Sequence, residues 1–184
     1  MGRHGRTDNR VETRTQGPGY GHGIRLGVRV FLLAILQVSV MPRLALFGAT
    51  PDILLAYITV IAVTGRQEGR WKTAAISGIA AGFLADTLGG VGIGVLTMFY
   101  FAVGVSVSHL MRRFQYGFLE ELLLFLAAIV PAAVLRGGVT LLYALLSGTA
   151  GFEFGAFFFG TLLPEVLGTL LFSIPIFLLF RGRD

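Results

Sequence analysis

The chain has 184 residues, enough for one domain. It is 54% hydrophobic and only 14% charged, with a mean hydropathy of +0.77, and a soluble domain of this size has too little interior to hide so much apolar surface. The net charge of +5 lies in the N-terminal tail and in alternate loops, which argues against nucleic-acid binding, and the absence of cysteine excludes a disulfide framework, thiolate chemistry and a Cys-ligated metal.

The composition therefore points to an all-α membrane protein with six transmembrane helices. Residues 1–23 carry Arg3, Arg6, Arg10 and Arg14 among Gly, Thr and Asn, and are expected to form a disordered, basic cytoplasmic tail. They are not a signal peptide, because no short apolar core with a small-residue cleavage site follows the charges. Such a tail sets topology, or touches anionic lipid or a cytoplasmic partner. Residues 24–184 are expected to form the six-helix domain. The first helix runs from about residue 24 to 46, with Arg25 and Arg29 placed to snorkel, Gln37 as its one polar interior residue and Pro42 near its end. The second begins at Thr50-Pro51-Asp52, where Thr50 suits the cap, Pro51 the first helical position and Asp52 the positive end of the dipole. It ends near Thr64, short for a span, and is predicted to tilt or to thin the bilayer.

The third helix is predicted over 73–88, the fourth over 92–111 and the fifth over 119–146, the last interrupted by Pro131 and by Arg136-Gly137-Gly138. The sixth covers 155–180 and contains Pro164 and Glu165. Basic residues fill the N-tail, the loop 65–72, the pair Arg112-Arg113 and the C-tail, whereas the three loops on the other side hold only Arg43. Both termini are thus expected to be cytoplasmic.

The stretch from Gly78 to Gly94 is the centre of this plan. Ala74, Gly78 and Gly82, four apart, form a flat helix face that another backbone can approach closely. The helix ends near Asp86 and breaks on Gly89 and Gly90, and the next one starts after Gly94. A carboxylate at a helix C-terminus meets the negative end of the dipole and needs a partner. Asp86 either accepts backbone N–H groups of the Gly89–Gly94 turn, the favoured reading, or joins Asp52 near the outer surface to bind a cation or a partner's basic side chain. Asp52 reads first as a helix start.

Arg136 lies about ten residues before the outer end of the fifth helix, and Glu165 about ten after the outer start of the sixth. At about 1.5 Å per residue both sit roughly 15 Å deep. Opposite charges at one depth on consecutive antiparallel helices predict an ion pair, since a lone charge there costs several kcal/mol. The pair either locks the helices or lines a cavity or partner-docking spot. No His-Glu-x-x-His helix, P-loop or Gly-x-Ser-x-Gly elbow is present, and the three His have no Ser and Asp at convincing spacing. No enzyme, cofactor or metal is indicated.

The Pro51-Asp52 helix start, the Gly82-Phe-Leu-Ala-Asp86 helix end and Gly89-Gly-Val-Gly-Ile-Gly94 opening the fourth helix resemble the rod shape-determining protein MreD family, over roughly Gln37 to Phe114. The resemblance implies a non-enzymatic multi-pass protein of the bacterial inner membrane, part of the cell-elongation machinery for peptidoglycan synthesis. It implies MreC, a bitopic protein with a periplasmic domain, as partner, in a complex with RodA, a class B penicillin-binding transpeptidase and the actin-like MreB. The family also looks like the six-helix substrate-binding subunits of energy-coupling-factor vitamin transporters, which suggests the same fold. The alternative function is a small-molecule or lipid-binding subunit of a membrane transporter.

Overall fold

A helix with apolar residues on every side is stable only where it is enclosed. Helix α2 (Ile53–Thr64) is of this kind, and in the computed structural model every residue from Ile53 to Val63 is buried. The structure describes residues 20–45, 48–64, 70–89, 94–111, 117–148 and 153–181. Around α2 stand α1 (Tyr20–Ser39), α3 (Arg70–Gly89), α4 (Val95–Met111), α5 (Phe118–Leu146) and α7 (Leu163–Phe180), all in contact with it. A short α6 (Phe154–Phe157) precedes α7. The described residues are thus almost entirely helical. Phe118–Leu146 and Gly155–Phe180 are long and apolar enough to cross a membrane, while α2 and α4 are shorter apolar helices.

The 12 residues of α2 rise only about 18 Å, well short of the roughly 30 Å of bilayer hydrocarbon. The surrounding helices enclose this short helix along its length from Ile53 to Val63. Helix α1 begins at Tyr20, earlier than the predicted residue 24, and stops at Ser39, earlier than 46. A 3-10 turn, Met41–Leu44, follows. Pro42 explains the stop, because it has no N–H to continue the ladder and its ring collides with the preceding turn. The rest of the expected disordered tail, the basic residues Arg66, Arg112, Arg113 and Arg183 and the turn residue Gly90 lie outside the described residues.

Helix α5 runs unbroken through Pro131, Gly137 and Gly138, where an interruption is predicted. Pro131 stands on the exposed face, and its neighbours Ile129, Ala132 and Ala133 are buried in the core, so packing on one side holds the helix across the missing bond. The predicted sixth helix is not uniform. Between α6 and α7 the backbone widens into a π-helical turn, Phe158–Leu162, in which Leu163 N–H donates to Phe158 O five residues back. Pro164 follows at once and cannot donate to the carbonyl four residues earlier, so the wider turn forms where the regular ladder would fail.

Helices α3 and α4 form an antiparallel hairpin whose backbones approach closely at three glycines. A Cβ on Gly78 would lie 2.6 Å from Tyr100 O, one on Gly82 2.3 Å from Thr97 Cα, and one on Gly104 2.8 Å from Ala74 O. The face Ala74-Gly78-Gly82 therefore packs on α4 inside the same chain, and its close approach is not left open for a partner helix. At the other end of the bundle Arg181 binds Glu121 at 2.8 Å and lies over the Phe118 ring at 4.3 Å, tying the end of α7 to the start of α5. Phe125 stacks on Phe177 beside this tie, and Tyr57 meets Phe180 edge-on.

Candidate functional site

The residue that starts α2 also organises the densest polar cluster among the described residues. Asp52 is 1% exposed. Its Oδ1 accepts Leu55 N–H at 2.9 Å, three residues on, which makes Asp52 the N-cap of α2. The cap is thus Asp52 rather than Thr50, and Pro51 precedes the helix rather than opening it. The same junction is sewn to its surroundings. Gln37 of α1 donates from Nε2 to Pro51 O at 2.8 Å and accepts Ile53 N–H at Oε1 at 2.9 Å. Asp52 N–H donates to Thr169 Oγ1 of α7 at 2.9 Å. Gln37, predicted only as a polar interior residue, is therefore a clamp that satisfies backbone groups next to a helix start.

Oδ2 of Asp52 faces the other way, into the cluster. Tyr100 of α4 donates its hydroxyl to it at 2.6 Å. Arg136 of α5 brings Nε to 3.0 Å, an ion-pair distance at which the N–H is not aligned for a hydrogen bond. Nη1 of the same guanidinium binds Glu165 Oε1, in the first turn of α7. The predicted Arg136–Glu165 pair is present, and Asp52 and Tyr100 complete it. Asp52 was expected near an outer surface and apart from that pair. It joins the pair because α2 is short and central, so its first residue lies level with the interior of α5 and the start of α7.

Four helices meet at this point, with one basic side chain between two acidic ones. Arg136 and Glu165 side chains are 18% and 13% exposed. One guanidinium stands between two carboxylates, so with both acids ionised the cluster carries one excess negative charge. Beside it a cavity of about 300 Å³ opens at the head of α2, where α1, α3 and α4 also end or begin. Arg136, Tyr100, Gln37 and Thr50 give it polar wall, and Leu54 and Leu96 are among its apolar lining.

Asp86 makes a separate site. Its Oδ2 accepts Gly94 N–H at 2.8 Å, Thr97 N–H at 3.0 Å and the Thr97 hydroxyl at 2.7 Å, and Oδ1 accepts Leu96 N–H at 2.9 Å. The carboxylate at the end of α3 thus caps the start of α4, and the positive end of the α4 dipole is the partner its position demanded. Gly94 has φ +97°, a left-handed conformation that favours glycine. Gly89 is the last residue of α3. Asp86 and Asp52 draw on different donors, so the shared cation site considered from sequence is not what either carboxylate serves.

A second, larger depression of about 450 Å³ runs between α4 and α5 and is nearly all apolar. Small side chains line both walls at helical spacing, Ala102 and Ser106 on α4, Ala128 and Ala132 on α5. No protein-family model, no curated protein and no solved structure matches the chain.

Proposed function

We propose that the protein is a non-enzymatic scaffold of six membrane-spanning helices in the bacterial inner membrane, with both termini cytoplasmic, serving the cell-elongation machinery. The observation that carries this reading is the groove between α4 and α5. Small residues four apart on both walls, Ala102 and Ser106 against Ala128 and Ala132, leave room for a third helix to approach at backbone distance. The occupant proposed is the single transmembrane helix of MreC. The motif residues behind the MreD resemblance support it from the other side. Asp52 caps α2, Gly82 lets α3 meet α4, and Asp86 caps α4. Those joints set α2, α3 and α4 against one another, as a docking platform requires.

The test is photo-crosslinking in a rod-shaped host from a probe at Ala102 or Ala128, together with depletion of the protein. The expected result is a crosslink to MreC and rounding of depleted cells, with RodA, the class B transpeptidase and MreB co-purifying. Loss of uptake of one vitamin with unchanged cell shape would replace this reading by a transport subunit, which the cavity beside Arg136 favours.

A further inference from the structure

We propose that the cavity at the head of α2 is a binding site for a neutral molecule with a hydrogen-bond-accepting head, an amide or ester carbonyl, on an apolar body. The wall supplies the chemistry. Gln37 uses both ends of its amide on backbone groups, and Tyr100 gives its proton to Asp52. Arg136 gives Nη1 to Glu165 and holds its buried Nε at ion-pair distance from Asp52, closed off from the cavity. Arg136 and Thr50 line the cavity, and Nη2 of Arg136, which only donates, and the Thr50 hydroxyl make no hydrogen bond among the described residues.

Charge selects within that chemistry. Behind the guanidinium stand two acids that already engage it through Nε and Nη1, so an added anion competes with Asp52 and Glu165 for the same cation. An added cation meets the donor side of Arg136, not the acids, because Asp52 and Glu165 are not part of the cavity wall. A neutral oxygen acceptor satisfies the free N–H groups and leaves the balance of the cluster unchanged. The remaining wall is apolar, including Ala34, Leu54, Leu84 and Leu96. Val38, Pro42 and Leu88 at the rim are exposed, which provides a mouth through which an apolar tail extends. A volume of about 300 Å³ is at the lower end of ordinary ligand pockets and holds a head with a short chain. Only the source of the ligand, a lipid or a small solute, rests on the membrane reading above.

The experiment measures the unfolding midpoint of the full-length protein in detergent-free nanodiscs against hexanamide, hexanoate, hexylammonium and monoolein. Hexanamide or monoolein is expected to raise the midpoint with saturation. A response to monoolein alone identifies a lipid source, and a response to hexanamide a soluble one. Thr50→Val is expected to weaken the apparent affinity about two- to tenfold, the loss of one hydrogen bond. Val38→Trp, or Leu88→Trp should the first variant not fold, is expected to abolish the response by filling the mouth. The proposal is overturned if neither hexanamide nor monoolein shifts the midpoint, if hexanoate or hexylammonium binds more tightly, or if the mouth-filling variant responds like the parent. None of these outcomes depends on whether MreC crosslinks to the α4/α5 groove.

Discussion

Asp52 and Asp86 are the same residue type, both buried and both capping a helix, yet they are held in opposite ways. Asp86 is satisfied by neutral donors from one turn of its own hairpin, no more than 11 residues away. Asp52 caps α2 with one oxygen and gives the other to Tyr100, 48 residues on, and to Arg136 of α5. The first site is a local closure that forms with the hairpin. The second exists only when four helices are assembled, and it stakes their arrangement on one guanidinium. A carboxylate at a helix start can therefore be either a joint or a keystone, and the identity of its distant donors decides which.

The sharpest way to break this comparison is Arg136→Leu. It strips the counter-charge from the buried Asp52 and the partly buried Glu165 at once and is expected to cost about 3–5 kcal/mol, read as a lower unfolding midpoint in bilayer or detergent. Adding Glu165→Leu is expected to recover part of the loss, because Asp52 still lacks its partner, and Asp52→Asn on top should recover more. Additive behaviour across that series would mean the four helices do not share one cluster.

Asp86→Asn probes the local site. The amide keeps one acceptor oxygen where two served four donors, and a loss of about 1–3 kcal/mol is expected from the unsatisfied N–H groups. Combined with Arg136→Leu it should add simply, since the two sites share no donor. Coupling between them would erase the distinction drawn here.

Gly78→Leu tests the hairpin that the local site closes. The new side chain meets Tyr100 backbone at 2.6 Å, and overpacking of about 1–3 kcal/mol is expected, with α3 and α4 forced apart. An unchanged midpoint would show that the hairpin yields without cost. The smallest effect is expected next to the keystone. Gly138 has open space where a Cβ would sit and lies inside α5, so Gly138→Ala should raise stability by about 0.5–1 kcal/mol. A decrease would mean that α5 must flex beside Arg136.

The two sites also differ in how far they could be read from sequence. The Asp86 cap was legible because its donors follow within a few residues, and a helix ending in an acid before a glycine-rich turn limits where that acid can go. The Arg136–Glu165 pair was legible from counting residues along two neighbouring antiparallel helices. Asp52 and Tyr100 were not, since the count from a helix end assumes that every helix crosses the full thickness. Helix α2 is only 12 residues long, too short to do so by helical rise alone, and its two warnings were that length and apolar side chains all round. Read as enclosure, they put Asp52 deep in the bundle. The π-helical turn before Pro164 and the Glu121–Arg181 tie left no local pattern: the first depends on how the chain resolves a lost hydrogen bond, the second on two helix ends meeting.

The enclosure of α2 also bears on how the chain is made. Asp52 N–H finds its acceptor on Thr169, 117 residues later, and at about 5–20 residues per second that acceptor is synthesised roughly 6–23 s after Asp52 itself. Through that interval the nascent chain holds an apolar α2 that α7 does not yet cover and an Asp52 N–H without its acceptor. A product truncated before α7 keeps both features permanently, which makes it a ready substrate for proteolytic quality control rather than a partly working protein.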